Sequence, residues 1–226
     1  MLLNGLNFKV KRTKRIKTIS IKIKEQIVFI SIPFFISNWE LKKIIKEKEG
    51  WIREKILHQK SKPKLLKKKF VTGELFLIKG KKYKLVLQGG SEKLIYLTKK
   101  EIIVCVGKTT FEPKVLLEKW YRTNSLIHFK KRSLKYEKII GVAPKSIKSR
   151  NYLSRWGSCS SKGDITFNWK LFMAPYNVID YVIVHELCHL LVANHSKDFW
   201  NKVRLYFPNF NIHSNWLKHN GHTLQW

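Results

Sequence analysis

"DYVIVHELCHLLVANHSKDFW", residues 180–200, is a largely apolar run that contains the ionisable side chains of His185, Glu186, His189 and His195. Burying such groups on a helix costs free energy unless something binds them. Pro175 can occupy a first helical turn, which predicts a helix from about residue 176 to about 192. His185 and His189 are four residues apart, so their imidazoles lie on one helix face and can share a metal ion.

Glu186 completes the pattern HExxH. It lies about 100° round the helix from His185, beside the predicted metal position instead of under it. A general base must be placed there to take a proton from a water molecule that the metal activates. The alternative is a pair of core histidines with polar hydrogen-bond partners, which so apolar a helix makes harder to provide. The pattern therefore favours a Zn²⁺ site with Glu186 as the catalytic residue.

The third ligand decides the class of site, because catalytic zinc usually has three protein ligands and one open position. No glutamate follows His189, which leaves five later candidates: His195, Asp198, His213, His219 and His222. His195 can reach the metal only if the helix ends first. Asn194 is a credible end, because Asn tolerates the left-handed conformation that stops helices, and "HSKDFW" would then begin a new helix. We predict His195 as the ligand and keep the other four as alternatives.

Upstream, residues 146–168 predict a β-hairpin. The segment "RWGSC" within it, residues 155–159, is open to two interpretations. A strand beside the metal-binding helix can offer its backbone to an extended peptide, which adds as a further strand. Alternatively, Arg155 and Trp156 only support the helix, and Gly157 forms a bulge.

The earlier part of the chain is predicted to be rich in strands. "KTISIKIK" and "QIVFISIP" predict an antiparallel pair, followed by a helix that begins at Ser37 or Asn38 and covers the sheet with Trp39 and Trp51. Short strands follow in "LFLIKGKKYKLVLQGG", "LIYLT" and "EIIVCVG". A long helix then ends near Gly141, where a C-cap glycine is expected.

These patterns predict an α+β fold in two parts. Residues 1–112 form a basic, β-rich N-terminal region with one helix, and residues 113–226 contain the hairpin and the HExxH helix. The Lys-rich run "KSKPKLLKKK", residues 60–69, is predicted to be a solvated linker.

Positive charge is concentrated outside the HExxH region. Residues 1–150 contain 39 basic and 11 acidic residues, a net charge of +28, whereas residues 151–226 contain 7 and 4, a net charge of +3. A basic region of this kind can make nonspecific contact with nucleic acid. However, 38 of the 46 basic residues are Lys and only 8 are Arg, the composition expected from an AT-rich genome, which is the favoured explanation. Three cysteines without a CxxC pair, no signal peptide and no long apolar run predict a cytoplasmic protein that does not enter the membrane.

The block from "RWGSC" to "HSKDFW", residues 155–200, resembles the YgjP-like metallopeptidase family, which is related more distantly to the WLM and SprT/Spartan proteases. The resemblance extends over nearly the whole chain through "RIKTISIKI", "GWIREKI" and "GKKYKL". It implies a zincin-like metallopeptidase domain in residues 113–226. It also implies zinc bound by His185, His189 and His195, with Glu186 as the base.

The expected function is that of a zinc-dependent metallohydrolase, an endopeptidase acting on protein or peptide substrates. One alternative is a DNA-associated, SprT-like protease that cleaves proteins bound to nucleic acid. An alternative of another class is a non-enzymatic nucleic-acid-binding module with a structural zinc ion. Structural zinc sites are closed by four ligands, so a fourth protein ligand would favour that last interpretation.

Overall fold

The computed structural model describes residues 2–3, 5–14, 18–24, 26–61, 67–90, 94–106, 112–224 and 226. The chain divides into two compact units, residues 1–66 and 67–226. Both units contain helices and strands, which confirms the predicted α+β class. Among the described residues, none of the helices combines the length and the apolar character that crossing a membrane requires.

The first unit, in its described residues, is a four-stranded sheet with one helix. Its elements are β1 Leu2–Leu3, β2 Leu6–Thr13, β3 Ser20–Lys24, β4 Ile27–Pro33 and α1 Asn38–Ser61. The strand order is β1-β2-β4-β3, with β2 parallel to β4. The predicted antiparallel pair, β3 with β4, is confirmed. Helix α1 runs into the predicted linker at residues 60–69, of which residues 62–66 lie outside the described residues.

Helix α1 begins where its capping residues predict. The Ser37 backbone N–H donates to Glu40 Oε2 at 2.8 Å, and the Glu40 N–H donates to Ser37 Oγ at 3.1 Å, a capping box. The face that packs on the sheet consists of Leu41, Ile45, Ile52 and Ile56. The prediction that Trp39 and Trp51 cover the sheet is wrong, since they are 72% and 43% exposed. The aliphatic side chains at helical spacing already fill that face.

The second unit contains two sheets and four α-helices in its described residues. Its strands are β5 Leu75–Ile78, β6 Lys81–Gln88, β7 Ile95–Leu97, β8 Glu101–Cys105, β9 Ser146–Arg150, β10 Gly157–Cys159 and β11 Asp164–Asn168. Its α-helices are α2 Pro113–Ile140, α3 Tyr176–Cys188, α4 Lys197–Tyr206 and α5 Phe210–Asn220. The sheet orders are β5-β6-β8-β7 and β10-β11-β9. The predicted hairpin is β10–β11, and β9 adds a parallel strand that the sequence analysis did not predict.

One apolar core joins both sheets of the second unit to α2 and α3. Its buried members include Phe76, Leu85, Tyr121, Phe167 and Ile183. The Tyr121 hydroxyl donates to the Leu77 carbonyl at 2.8 Å, which links α2 to β5. The division into compact units therefore differs from the predicted division at residue 112, because a boundary there would cut through this core.

An ion pair between a buried carboxylate and a partly exposed arginine fixes α3 against α2. Arg132 Nε donates to Asp180 Oδ1 at 2.8 Å, while a second guanidinium nitrogen and the Tyr136 hydroxyl both donate to Oδ2. Asp180 is 4% exposed. Removing one partner of such a pair leaves a buried charge uncompensated, at a cost of about 3–5 kcal/mol. Helix α3, which carries HExxH, is therefore held in its N-terminal half, ahead of His185.

Candidate metal centre and active site

The predicted ligands His185, His189 and His195 lie together near the C-terminal end of α3. Their ligand atoms all lie within 4.8 Å of one another, and the Nε2 atoms of His185 and His195 are 3.1 Å apart. Across the described ranges, no other three His, Cys, Asp or Glu side chains converge in this way. Three converging imidazoles are an arrangement typical of protein zinc sites.

A hydrogen bond orients His189 toward this centre. Its Nδ1 lies 3.1 Å from the carbonyl oxygen of Val192. Because a carbonyl can only accept, Nδ1 carries the proton and Nε2 keeps its lone pair. This is how metal-binding histidines are usually oriented. His185 is held by packing instead, since its buried Nδ1 has no partner among the described residues and its ring centroid lies 4.9 Å from that of Phe199.

The electrostatics of the site favour neutral imidazoles. Burial, with smaller effects from His189 and His195, lowers the pKa of His185 to about 3. Burial likewise lowers the pKa of His189. Neutral imidazole is the form that ligates a metal. Three nitrogen donors also suit zinc better than magnesium or calcium, which prefer oxygen ligands. The residues present therefore fit the ion that the sequence predicts.

His195 reaches the centre because α3 ends earlier than predicted. The helix stops at Cys188 instead of about residue 192, and the Val192 N–H donates to the Cys188 carbonyl at 3.0 Å in the turn that follows. The predicted left-handed conformation of Asn194 is wrong, because Asn194 has no positive φ. The turn after Cys188 reverses the chain without a left-handed residue at position 194. Helix α4 then begins directly after its N-cap Ser196, which follows His195.

The alternative third ligands lie elsewhere. Outside the converging group are Asp198, His213, His219 and His222. The ring of His213 packs against that of Phe207 with centroids 5.3 Å apart, and His219 Nδ1 lies 2.7 Å from the Asn215 carbonyl oxygen. His222 lines a different cavity, of about 380 Å³.

Glu186 lies beside the histidines in a cavity of about 280 Å³ that the three histidines also line. The residue is 5% exposed. Burial raises the pKa of Glu186 to about 8, and the positive charge of Arg155 opposes that rise. A carboxyl group whose pKa is near the working pH can both accept and release a proton. The position of Glu186 thus suits the base that the sequence predicts.

Strand β10 forms one wall of this cavity, and Gly157 in it makes room for Glu186. A methyl group in place of the glycine hydrogen would lie 2.5 Å from Glu186 Oε1 and 2.6 Å from its Cγ. The suggested bulge at Gly157 is wrong, because β10 pairs with β11 in unbroken register. Strand β10 is also an edge strand of its sheet. Close approach to Glu186, and not backbone irregularity, explains the glycine.

We expect Gly157→Ala to lower peptidase activity by about 100-fold while the bound metal is retained. The added methyl group must displace the Glu186 carboxylate, and a shift of about 1 Å in a catalytic group can have an effect of this size. Activity assays and metal analysis on the same protein preparation measure both quantities. Gly50→Ala is the matched control, because a methyl group there meets no atom within 4 Å. Full activity in Gly157→Ala would contradict the expectation.

Asn168 was missed by the sequence analysis. It is 3% exposed, and its Nδ2 donates to the carbonyl oxygens of Tyr152 at 3.0 Å and Arg155 at 3.2 Å. Its Oδ1 accepts from the Lys170 backbone N–H at 3.2 Å. The side chain therefore ties the segment before β10 to the end of β11. The sequence gives little indication of this role for Asn168, because the acceptors lie 13 and 16 residues away in the chain.

No curated protein matches the chain. The zymogen of the metallopeptidase abylysin from Pyrococcus abyssi is similar, with a TM-score of 0.36 and 22% identity over 38% of this chain and 89% of that one. The zymogen of jannalysin from Methanocaldococcus jannaschii gives a TM-score of 0.36 and 21% identity over 42% of this chain and 96% of that one. The model of the YgjP-like metallopeptidase domain matches residues 17–220, nearly the whole chain, and the chain therefore belongs to the YgjP-like metallopeptidase family.

Proposed function

We propose that this metallopeptidase is a zinc-dependent endopeptidase, with His185, His189 and His195 as the metal ligands and Glu186 as the general base. The observation that carries the proposal is the convergence of three imidazoles within 4.8 Å beside a buried carboxyl group. A metal ion is implied by the family, and the nitrogen donors favour zinc.

A catalytic role for the metal is supported by the number of ligands. The converging group in the described residues has three members, and no fourth His, Cys, Asp or Glu belongs to it. Catalytic zinc sites have three protein ligands and an open position, whereas structural sites have four. Cys159 lines the same cavity but is not in the converging group. This argues against the non-enzymatic module with structural zinc.

Zinc, when bound, polarises the scissile carbonyl and lowers the pKa of water to about 7. Glu186 takes a proton on its carboxylate oxygen as the attacking water oxygen bonds to the carbonyl carbon. It then delivers that proton to the amide nitrogen as the carbon–nitrogen bond breaks, which regenerates the carboxylate. A divalent cation nearby favours ionised Glu186, because an opposite charge lowers a carboxyl pKa.

Endopeptidase activity is supported by the space on both sides of the centre. The cavity of about 280 Å³ that the three histidines and Glu186 line is called the metal-site cavity. It shares Cys159, His189 and Ala193 with a neighbouring cavity of about 610 Å³. It shares Arg155, which lies before the other end of β10, with the cavity of about 380 Å³. An extended peptide paired with the edge of β10 can therefore continue in both directions from the scissile bond.

Removal of zinc with a chelator should abolish cleavage of an unfolded protein such as reduced casein. Zinc added back should restore cleavage, whereas magnesium and calcium should not, because they bind nitrogen ligands poorly. Metal analysis of the purified protein and a gel-based cleavage assay provide the measurements. Cleavage that persists in protein shown to be free of metal would overturn the proposal.

The expected contact between the basic N-terminal part and nucleic acid stays a prediction, as does the cytoplasmic location. The proposed chemistry requires neither, because all of its residues lie in the second compact unit.

A further inference from the structure

We propose that the cavity of about 380 Å³ beside the metal centre is a substrate subsite that binds an acidic side chain on the C-terminal side of the scissile bond. The inference rests on the proposed peptidase function and names the class of substrate. The cavity lies between the segment that precedes β10 and the C-terminal residues after α5.

The lining of this cavity is cationic. Arg155, Lys170 and His222 contribute to it, and no Asp or Glu is among its described lining residues. No ion pair involving Arg155 or Lys170 occurs within the described part of the chain. An anionic side chain placed between these groups would form charge-assisted hydrogen bonds, which are stronger than neutral ones.

Two of these groups lack polar partners. Both ring nitrogens of His222 are shielded from solvent and have no hydrogen-bond partner among the described residues. Imidazole always carries at least one N–H, so His222 holds a buried donor without a partner at the wall of the cavity, whatever its protonation state. Burial lowers the pKa of Lys170, with only partial compensation from Glu118. Glu118 is itself paired with Arg122 at 2.7 Å.

Arg155 connects the subsite to the reaction centre, because it lines both cavities. The position of its backbone is set in advance, since Asn168 Nδ2 donates to the Arg155 carbonyl at 3.2 Å. Tyr152 Oη and Ser158 Oγ lie 2.8 Å apart, within hydrogen-bond distance. This contact ties the segment that precedes β10 to β10 itself. A site built on residues already held by hydrogen bonds loses little entropy when a ligand binds.

The direction of the peptide assigns the side of the scissile bond. A peptide that pairs antiparallel with β10, the commoner arrangement of neighbouring strands, runs from the Cys159 end toward the Gly157 end. Its residues C-terminal to the scissile bond then lie toward Arg155. The acidic side chain that the subsite accepts is therefore expected among the first residues after the cleaved bond.

Matched peptides test the proposal. One series carries Glu at each of the first three positions after the scissile bond, a second carries Gln at the same positions, and a third carries Glu at the corresponding positions before the bond. We expect kcat/KM to be higher by about tenfold for Glu than for Gln at one position after the bond, the effect of one charge-assisted hydrogen bond. No such preference is expected before the bond. A Glu preference of equal size on both sides would reflect the overall positive charge and overturn the proposal.

Variants of the residues that line the cavity test whether the preference for Glu arises there. Lys170→Glu should reverse the preference, so that the peptide with Lys at the selected position is cleaved faster than the peptide with Glu. His222→Phe, which keeps the ring size and removes the donor, should reduce the Glu preference. Lys131→Gln, an exposed lysine on α2 outside the cavity, should leave the preference unchanged. If the lining variants are folded by circular dichroism and keep the wild-type preference, the cavity is not the subsite.

A binding measurement separates this inference from the proposed function. Calorimetry on the Glu186→Gln protein should show tighter binding of the Glu peptide than of the Gln peptide, by about tenfold. If the wild-type protein cleaves none of the peptides but this difference in binding is found and is lost in Lys170→Glu, the proposed function fails and the subsite stands. If cleavage occurs but neither rate nor binding distinguishes Glu from Gln, the subsite is refuted and the proposed function stands. If there is neither cleavage nor a difference in binding, the proposed function and the subsite are both refuted.

Discussion

Glu186→Gln should lower the rate of peptide hydrolysis by about 10²–10⁴-fold, the usual contribution of a general acid–base group, while the zinc content stays at the wild-type value. The amide has nearly the shape of the carboxyl group, so the fit against Gly157 is kept. It cannot accept the proton of the attacking water. Glu186 is also outside the converging group of ligand atoms, so its replacement leaves the three nitrogen donors in place.

Glu137→Gln provides a matched control for that experiment. Burial raises the pKa of Glu137 as it does that of Glu186, but Glu137 lies on α2 and lines neither the metal-site cavity nor its neighbours. We expect wild-type activity from it. Loss of zinc together with activity in Glu186→Gln would make Glu186 a ligand and refute its assignment as the base.

The convergence of the three histidines could be predicted from the sequence because its determinants are local. The spacing of His185 and His189 places both on one helix face whatever surrounds the helix. The choice of His195 depended on counting residues and on the requirement that the helix end first. That requirement is met, although by a turn after Cys188 and not by Asn194.

The surroundings of the centre could not be predicted in the same way, because they depend on contacts between distant parts of the chain. The parallel pairing of β9 with β11 leaves no local pattern. The sequence does not distinguish Asn168 from an ordinary polar residue, because its acceptors lie in the distant Tyr152–Arg155 segment. The sequence suggests His222 only as an alternative metal ligand, since nothing in its neighbourhood along the chain indicates that it lines a cavity with Arg155 and Lys170.

The extent of the second compact unit was also beyond local patterns. The strands at residues 75–105 are short and alternate with turns, which is compatible with a separate small sheet. Their apolar side chains pack instead into the same core as Tyr121 and Ile183. Periodicity identifies the apolar face of a strand, but it does not identify the element that covers that face.

His195→Ala should lower the affinity for zinc by at least about 100-fold, since even the loss of a group that only orients a ligand can reduce affinity by this much. The fold should change little. His195 is an exposed residue between α3 and α4, and substitutions at exposed sites usually alter the free energy of unfolding by less than about 0.5 kcal/mol. Competition for zinc against a chelator of known affinity measures the first effect, and urea unfolding of the metal-free protein measures the second.

His219→Ala, another exposed histidine in the same compact unit, is the control and should keep the wild-type zinc affinity. Asp198→Ala tests the alternative ligand that lies closest to His195 in the chain. Loss of zinc in Asp198→Ala with retention in His195→Ala would transfer the third position to the carboxylate. Because the His195 and His185 Nε2 atoms are 3.1 Å apart and Asp198 is outside the converging group, we expect the opposite result.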